Sequence, residues 1–164
     1  NRVGTRTHQR SIGSKSTLQD LEKWMNTLIE TNDWGVGMTH GLTYGYDAFR
    51  NPQRLWDHWD QVKARENEIW VGTFREVASY IREREETKLD VVNKKNTLLI
   101  TPELKLDQKL FVEPLTMVIT GKDIKKVTVK QGKRKLPVQV TGDKVLFDFD
   151  PYGDVIKVTL KSRK

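Results

Sequence analysis

Apolar positions change their spacing once along this chain of 164 residues. In the first half they recur at helical intervals. Leu18, Leu21, Trp24, Met25, Leu28 and Ile29 predict a helix near 17–31, and Ser16-Thr17-Leu18-Gln19 before them has the spacing of a capping box. That helix stops at Thr31-Asn32-Asp33. Trp34-Gly35-Val36-Gly37-Met38-Thr39-His40 then reads as a buried strand running into a glycine-rich loop. Asn51-Pro52 is a cap followed by a first-turn proline, and Leu55, Trp56, Trp59 and Val62 form one apolar face of a second helix through about Arg65. Glu68 to Gly72 reads as a short strand. Thr73-Phe74-Arg75-Glu76 is another capping box, opening a helix with Phe74, Val77, Ala78 and Ile81 inward. Strand and helix in alternation predict parallel α/β packing.

After Glu86 the period becomes two. Leu115, Met117 and Ile119 alternate with polar residues, as do Val127 and Val129, Val138 and Val140, Val145 with Phe147 and Phe149, and Ile156 with Val158 and Leu160. Glycine marks the turns at Gly121-Lys122-Asp123, Gln131-Gly132-Lys133, Thr141-Gly142-Asp143 and Tyr152-Gly153-Asp154. Short strands at this spacing predict a small antiparallel β-sandwich. The expected division is therefore an α/β part over residues 1–87 and an all-β part over 88–164. Each is small enough that a shared interface is expected, because a unit of about 75 residues is marginal alone.

Composition narrows the classes. Mean hydropathy is -0.65, and no apolar run approaches the roughly 20 residues that span a bilayer, so no membrane span is expected. There is no cysteine, which rules out disulfides and thiolate zinc sites and leaves the redox compartment open. The sequence begins at Asn1 without an initiator Met or a signal segment, which predicts a processed, cloned or cleaved product. The net charge of +7 raises nucleic acid as a partner. Its distribution argues otherwise: residues 1–87 carry 12 Lys+Arg against 13 Asp+Glu, while 88–164 carry 17 against 9. The excess falls on alternate strand positions and on the turn Gly132-Lys133-Arg134-Lys135, without interleaved aromatics for base stacking. That predicts a solvated face and no nucleic-acid partner.

Chemistry has few places to sit. His40 follows a predicted buried strand and opens the loop His40-Gly41-Leu42-Thr43-Tyr44-Gly45-Tyr46-Asp47. The C-terminal ends of parallel strands open onto the ligand-binding face, and an imidazole there can act as general acid or base; the alternative is a loop histidine bonded to a backbone carbonyl. His8 lies in an extended stretch and is read as a surface or core-satisfying residue. His58, between Asp57 and Trp59, is read as packing. Glu66, Glu68, Glu83, Glu85 and Glu86 read as solvated helix charges. Phosphate loops, dinucleotide fingerprints, paired metalloprotease histidines and serine elbows do not occur. As a free-standing enzyme the chain is underequipped.

The segments Thr17 to Asp33, Trp34-Gly35-Val36-Gly37-Met38-Thr39-His40-Gly41, Leu55 through Val62, and Ile69-Trp70-Val71-Gly72-Thr73-Phe74-Arg75-Glu76-Val77-Ala78-Ser79-Tyr80-Ile81 resemble the end of NodB-type polysaccharide deacetylases. More narrowly they resemble the two-domain versions of gut Bacteroidetes. There a β-sandwich follows, and Val145 to Ile156 is similar to its closing stretch. The resemblance implies the last strand-helix units of a partial (β/α) barrel followed by the sandwich, and metal-dependent removal of N- or O-acetyl groups from a poly- or oligosaccharide. Met38-Thr39-His40 matches the family motif of a hydrophobic residue, any residue and a histidine, which implies that His40 is the general acid. Tyr44, Tyr46 and Asp47 would line the sugar site, and Trp34 would either join them or pack in the core. The family's divalent metal, with zinc the first expectation, is held upstream by an Asp-Asp pair and a His-to-His pair. No such residues occur here, so this chain alone is expected to bind no metal and to be inactive. The resemblance also implies a periplasmic, cell-envelope or secreted location. An incomplete barrel leaves an open sheet edge, which predicts association with a missing N-terminal half or self-association. The alternative reading is a non-catalytic carbohydrate-binding or cell-envelope interaction module centred on the β part.

Overall fold

The computed structural model describes residues 6–121 and 126–161, so Lys122 and Asp123 of the first expected turn lie outside the described residues. The chain is mixed α/β and divides into two compact units, Asn1–Phe74 and Arg75–Lys164. The boundary falls ahead of the change in hydrophobic period, so nearly all of the third helix goes with the strands that follow it.

In the first unit, β1 (Thr7–Ser11) and β2 (Trp34–Met38) pair in parallel, with register running from Thr7↔Trp34 to Ser11↔Met38. The crossover between them is α1 (Leu18–Thr31). Its capping box lies one residue later than the sequence suggests. Thr17 accepts from the Asp20 amide at 3.1 Å, and the Asp20 carboxylate accepts from the Thr17 amide at 3.1 Å. The helix ends on Asn32 in the left-handed conformation, with the Asp33 amide donating to the Leu28 carbonyl at 3.1 Å. Gly35 lets the crossover helix pack closely, since a Cβ there would come within 2.2 Å of Leu28 Cδ1 and push that side chain aside. A second helix, α2 (Gln53–Lys63), packs on α1, and Ile12, Leu21, Phe49 and Leu55 form the core. Its expected Asn51 cap is realised in part: Pro52 is the boundary residue, and the Asn51 side chain accepts from the Gln53 amide at 3.0 Å.

Three expectations for this unit are corrected. β2 is half-buried, and exposed at Gly37 and Met38, because a sheet of two strands cannot enclose it. On α2 the buried stripe is Leu55, His58 and Val62 at helical spacing, and Trp56 and Trp59 fall on its exposed flank. Residues 68–72 join no sheet, and Trp70 and Val71 are exposed. A short apolar run becomes a strand only where a neighbouring strand offers a ladder. Among the described residues there is one parallel strand pair and no closed barrel.

The second unit contains most of α3 (Phe74–Glu86) and two antiparallel sheets. One has the order β3 (Lys88–Lys94), β4 (Thr97–Glu103), β10 (Ile156–Lys161), β6 (Lys126–Gln131), β7 (Arg134–Leu136). The other runs β5 (Leu115–Thr120), β9 (Lys144–Phe149), β8 (Gln139–Thr141). Inward residues of both sheets meet in one cluster: Ile100, Val129, Leu136, Ile156 and Val158 from the first, and Leu115, Val145, Phe147 and Phe149 from the second. Tyr80 of α3 packs against it. Of the expected Val138–Val140 pair, Val138 packs half-buried against this cluster and Val140 is exposed, while Leu136 takes the buried position ahead of them. None of the helices in the described residues is long and apolar enough to cross a membrane.

Candidate functional site

The parallel pair brings the C-terminal ends of β1 and β2 to one edge, where the Ile12 amide donates to the Met38 carbonyl at 2.9 Å. Two loops leave from that edge. The first is the turn Gly13-Ser14, and the second spans residues 39–52 and carries His40. Gly41 sits at φ +151 with the Tyr44 carbonyl oxygen 2.2 Å from where a Cβ would stand, so only glycine fits. The loop closes on itself through Phe49 amide to Gly41 carbonyl at 3.3 Å and Arg50 amide to Leu42 carbonyl at 2.9 Å. Ala48 and Phe49 plug its base into the core.

His40 lies exposed at the start of this loop, edge-on to the Tyr46 ring at a centroid distance of 5.6 Å and an angle of 81°. Tyr44 and Tyr46 are 88% and 83% exposed, free to meet a ligand face. Asp47 is half-buried at φ 51, and its Oδ1 accepts from the Ser14 hydroxyl at 2.5 Å and the Ser14 amide at 3.2 Å. The Ser14 hydroxyl holds the Asp47 carboxyl below the usual carboxylate range, with smaller help from the Ser14 amide, Lys15 and His40, against partial desolvation. Asp47 therefore stays ionised beside His40 and ties the two loops together. Trp34 is not part of this group. It starts β2, about 13 Å of strand away from Met38 at 3.3 Å per residue, and its ring lies 4.7 Å from Phe74.

The other histidines are structural. His8 sits within β1, with Nε2 2.8 Å from Asp33 Oδ2. His58 is buried on α2, and burial holds its imidazole below the usual range.

Two residues were not visible in the sequence reading. Half-buried Arg54 on α2 donates to the carbonyls of Ser16 at 2.8 Å, Phe49 at 2.7 Å and Ser14 at 3.3 Å, so one guanidinium clamps both loops. The signal was its place four residues before His58 and eight before Val62, in line with the buried stripe. Arg54→Ala strips a charged donor from three carbonyls and should cost the first unit about 1.5–3 kcal/mol, with Arg54→Lys recovering only part because an ammonium cannot span the fork. Urea unfolding of both variants measures this. The second residue is Glu83, expected on a solvated helix face and found fully buried in the second unit, where both oxygens accept from the Glu113 amide at 3.1 Å. Desolvation raises its carboxyl above the usual value; the Glu113 amide opposes this, and the negative charges of Glu113 and Asp150 add to it.

Metal ligation was tested on the donor set. The described residues hold no group of three or more His, Asp or Glu positioned to share a metal ion. The site thus offers an exposed imidazole, two exposed tyrosine rings and an anchored carboxylate.

No family model matches the sequence, and no curated protein matches it. Among solved structures, the crystal structure of Thermotoga maritima α-fucosidase is similar at 12% identity and a TM-score of 0.32, covering 93% of this chain and 39% of that one. Its complex with fucose gives 11% identity and a TM-score of 0.29 over the same shares. The chain thus spans well under half the length of these structures.

Proposed function

We propose that this chain is the C-terminal part of a metal-dependent saccharide deacetylase, ending the catalytic domain as the last units of a partial (β/α) barrel, and that His40 is its general acid. What supports the reading is the position of His40: it directly follows the C-terminal end of a parallel strand, is open to solvent, and is flanked by an exposed tyrosine ring. In the reaction a water oxygen adds to the acyl carbon. The bond from that carbon to the sugar nitrogen or oxygen breaks, its electron pair stays with the leaving atom, and His40 gives that atom a proton, releasing acetate. The donor set here does not fit a divalent metal, so a metal and the group that takes the water's proton would both belong to residues outside this chain, as the family resemblance implies. Tyr44 and Tyr46 would stack on the sugar ring, and Asp47 would fix the loop that carries His40.

The test is acetate release from an acetylated oligosaccharide by a chain that includes the upstream segment. His40→Ala should lower kcat by about 10²–10⁴-fold while KM stays within a few-fold, as expected for a lost general acid. Unchanged turnover would remove the reading.

A further inference from the structure

We propose that the first unit carries a second saccharide-binding site, apart from the His40 loop, and that it takes an oligosaccharide bearing free amino groups. An open cleft of about 1000 Å³ lies between the end of α2 and the segment leading to α3. Its volume is at the upper end of the range typical of small-molecule sites. Trp59 and Trp70 line it and are 45% and 54% exposed, so each indole keeps about half of its surface open to solvent.

The polar lining decides the ligand. Asp60, Glu66 and Glu68 face the cleft against Lys63 alone. Lys63 pairs with Glu66, and Arg65 pairs with Glu68 at 2.8 Å, which leaves Asp60 without an ion pair among the described residues. Indole faces stack on the C–H faces of pyranose rings and attract cations, and a carboxylate makes its strongest hydrogen bonds to an ammonium. Nucleic acid would meet like charge, and an apolar peptide would desolvate carboxylates without replacing their hydrogen bonds. An amino-sugar chain satisfies both the rings and the Asp60 carboxylate. The inference rests on this cleft and not on the acyl-transfer reading, although an amide deacetylase would generate such a ligand.

The experiment titrates the full chain with a chitosan oligosaccharide, its fully N-acetylated counterpart and a neutral cello-oligosaccharide, following tryptophan fluorescence. Saturable binding of the amino form is expected, about tenfold weaker in Trp59→Ala and in Trp70→Ala. Trp59→Phe and Trp70→Phe should keep most of it, and circular dichroism checks the fold of each variant. Asp60→Asn should bring the amino and acetylated forms close to parity. Equal affinity of the parent for all three sugars, undiminished binding in both alanine variants, or no binding of the amino form up to about 1 mM would each overturn the proposal.

Discussion

Phe49→Ala is expected to destabilise the first unit by about 3–5 kcal/mol, the cost of emptying a fully buried aromatic site. The ring has no exposed surface and, among the described residues, shares its buried cluster with Ile12, Leu21 and Leu55, a small core with little material to collapse into the space. Its backbone also closes the His40 loop by donating to the Gly41 carbonyl and accepting from Arg54. The loss should therefore reach the candidate site as well as the core. All five tryptophans, at 24, 34, 56, 59 and 70, lie in the first unit. Denaturant unfolding followed by their fluorescence reads that unit's stability separately. A change below about 1 kcal/mol would show that the loop is held by its hydrogen bonds rather than by this plug.

The second large effect belongs to Glu83. Glu83→Ala should cost the β-rich unit about 2–4 kcal/mol, because it leaves the Glu113 amide unpaired and opens a buried space. Glu83→Gln separates charge from shape. The folded-state pKa of Glu83 is raised above its ordinary value of 4.5. Its protonated form thus stabilises the fold below that value, and this contribution is lost as pH rises through the folded pKa. The glutamine variant lacks that loss, so its stability relative to the parent should improve on going from pH 4.5 to pH 8. Urea unfolding followed by far-ultraviolet dichroism at the two pH values measures the difference. An identical difference at both would mean that the carboxyl does not titrate between them.

What was legible in the sequence is what local periodicity encodes. The alternation of Val145, Phe147 and Phe149, and of Ile156 and Val158, is the alternation of the observed core. The helix from 18 to 31 followed from a capping signal and a stripe, but its crossover role did not, because β1 is Thr7-His8-Gln9-Arg10-Ser11 and has no apolar side chain to mark it as a strand. β3 and β4 were missed because all seven residues of β3 are exposed and its apolar side chains, Leu89, Val91 and Val92, do not alternate. Their hairpin turns at Lys95, at φ 50 and without glycine to mark it. At the candidate site, the strand end at Met38 placed His40, and the glycines around it announced a tight loop. The separation of Trp34 from that loop follows from strand direction, which a resemblance by residue type does not convey. The roles of Arg54 and Glu83 depend on which carbonyl or amide arrives from a distant segment, and no spacing within one helix records that.

The order of strands has a consequence for biosynthesis. β10 is the last strand in sequence yet lies between β4 and β6, pairing with both. While a ribosome is still translating residues 104–155, β4 has its β3 partner but an empty lane on its other side. The five-stranded sheet can close only once residues 156–161 have emerged, after residues 1–74 of the first unit have been exposed.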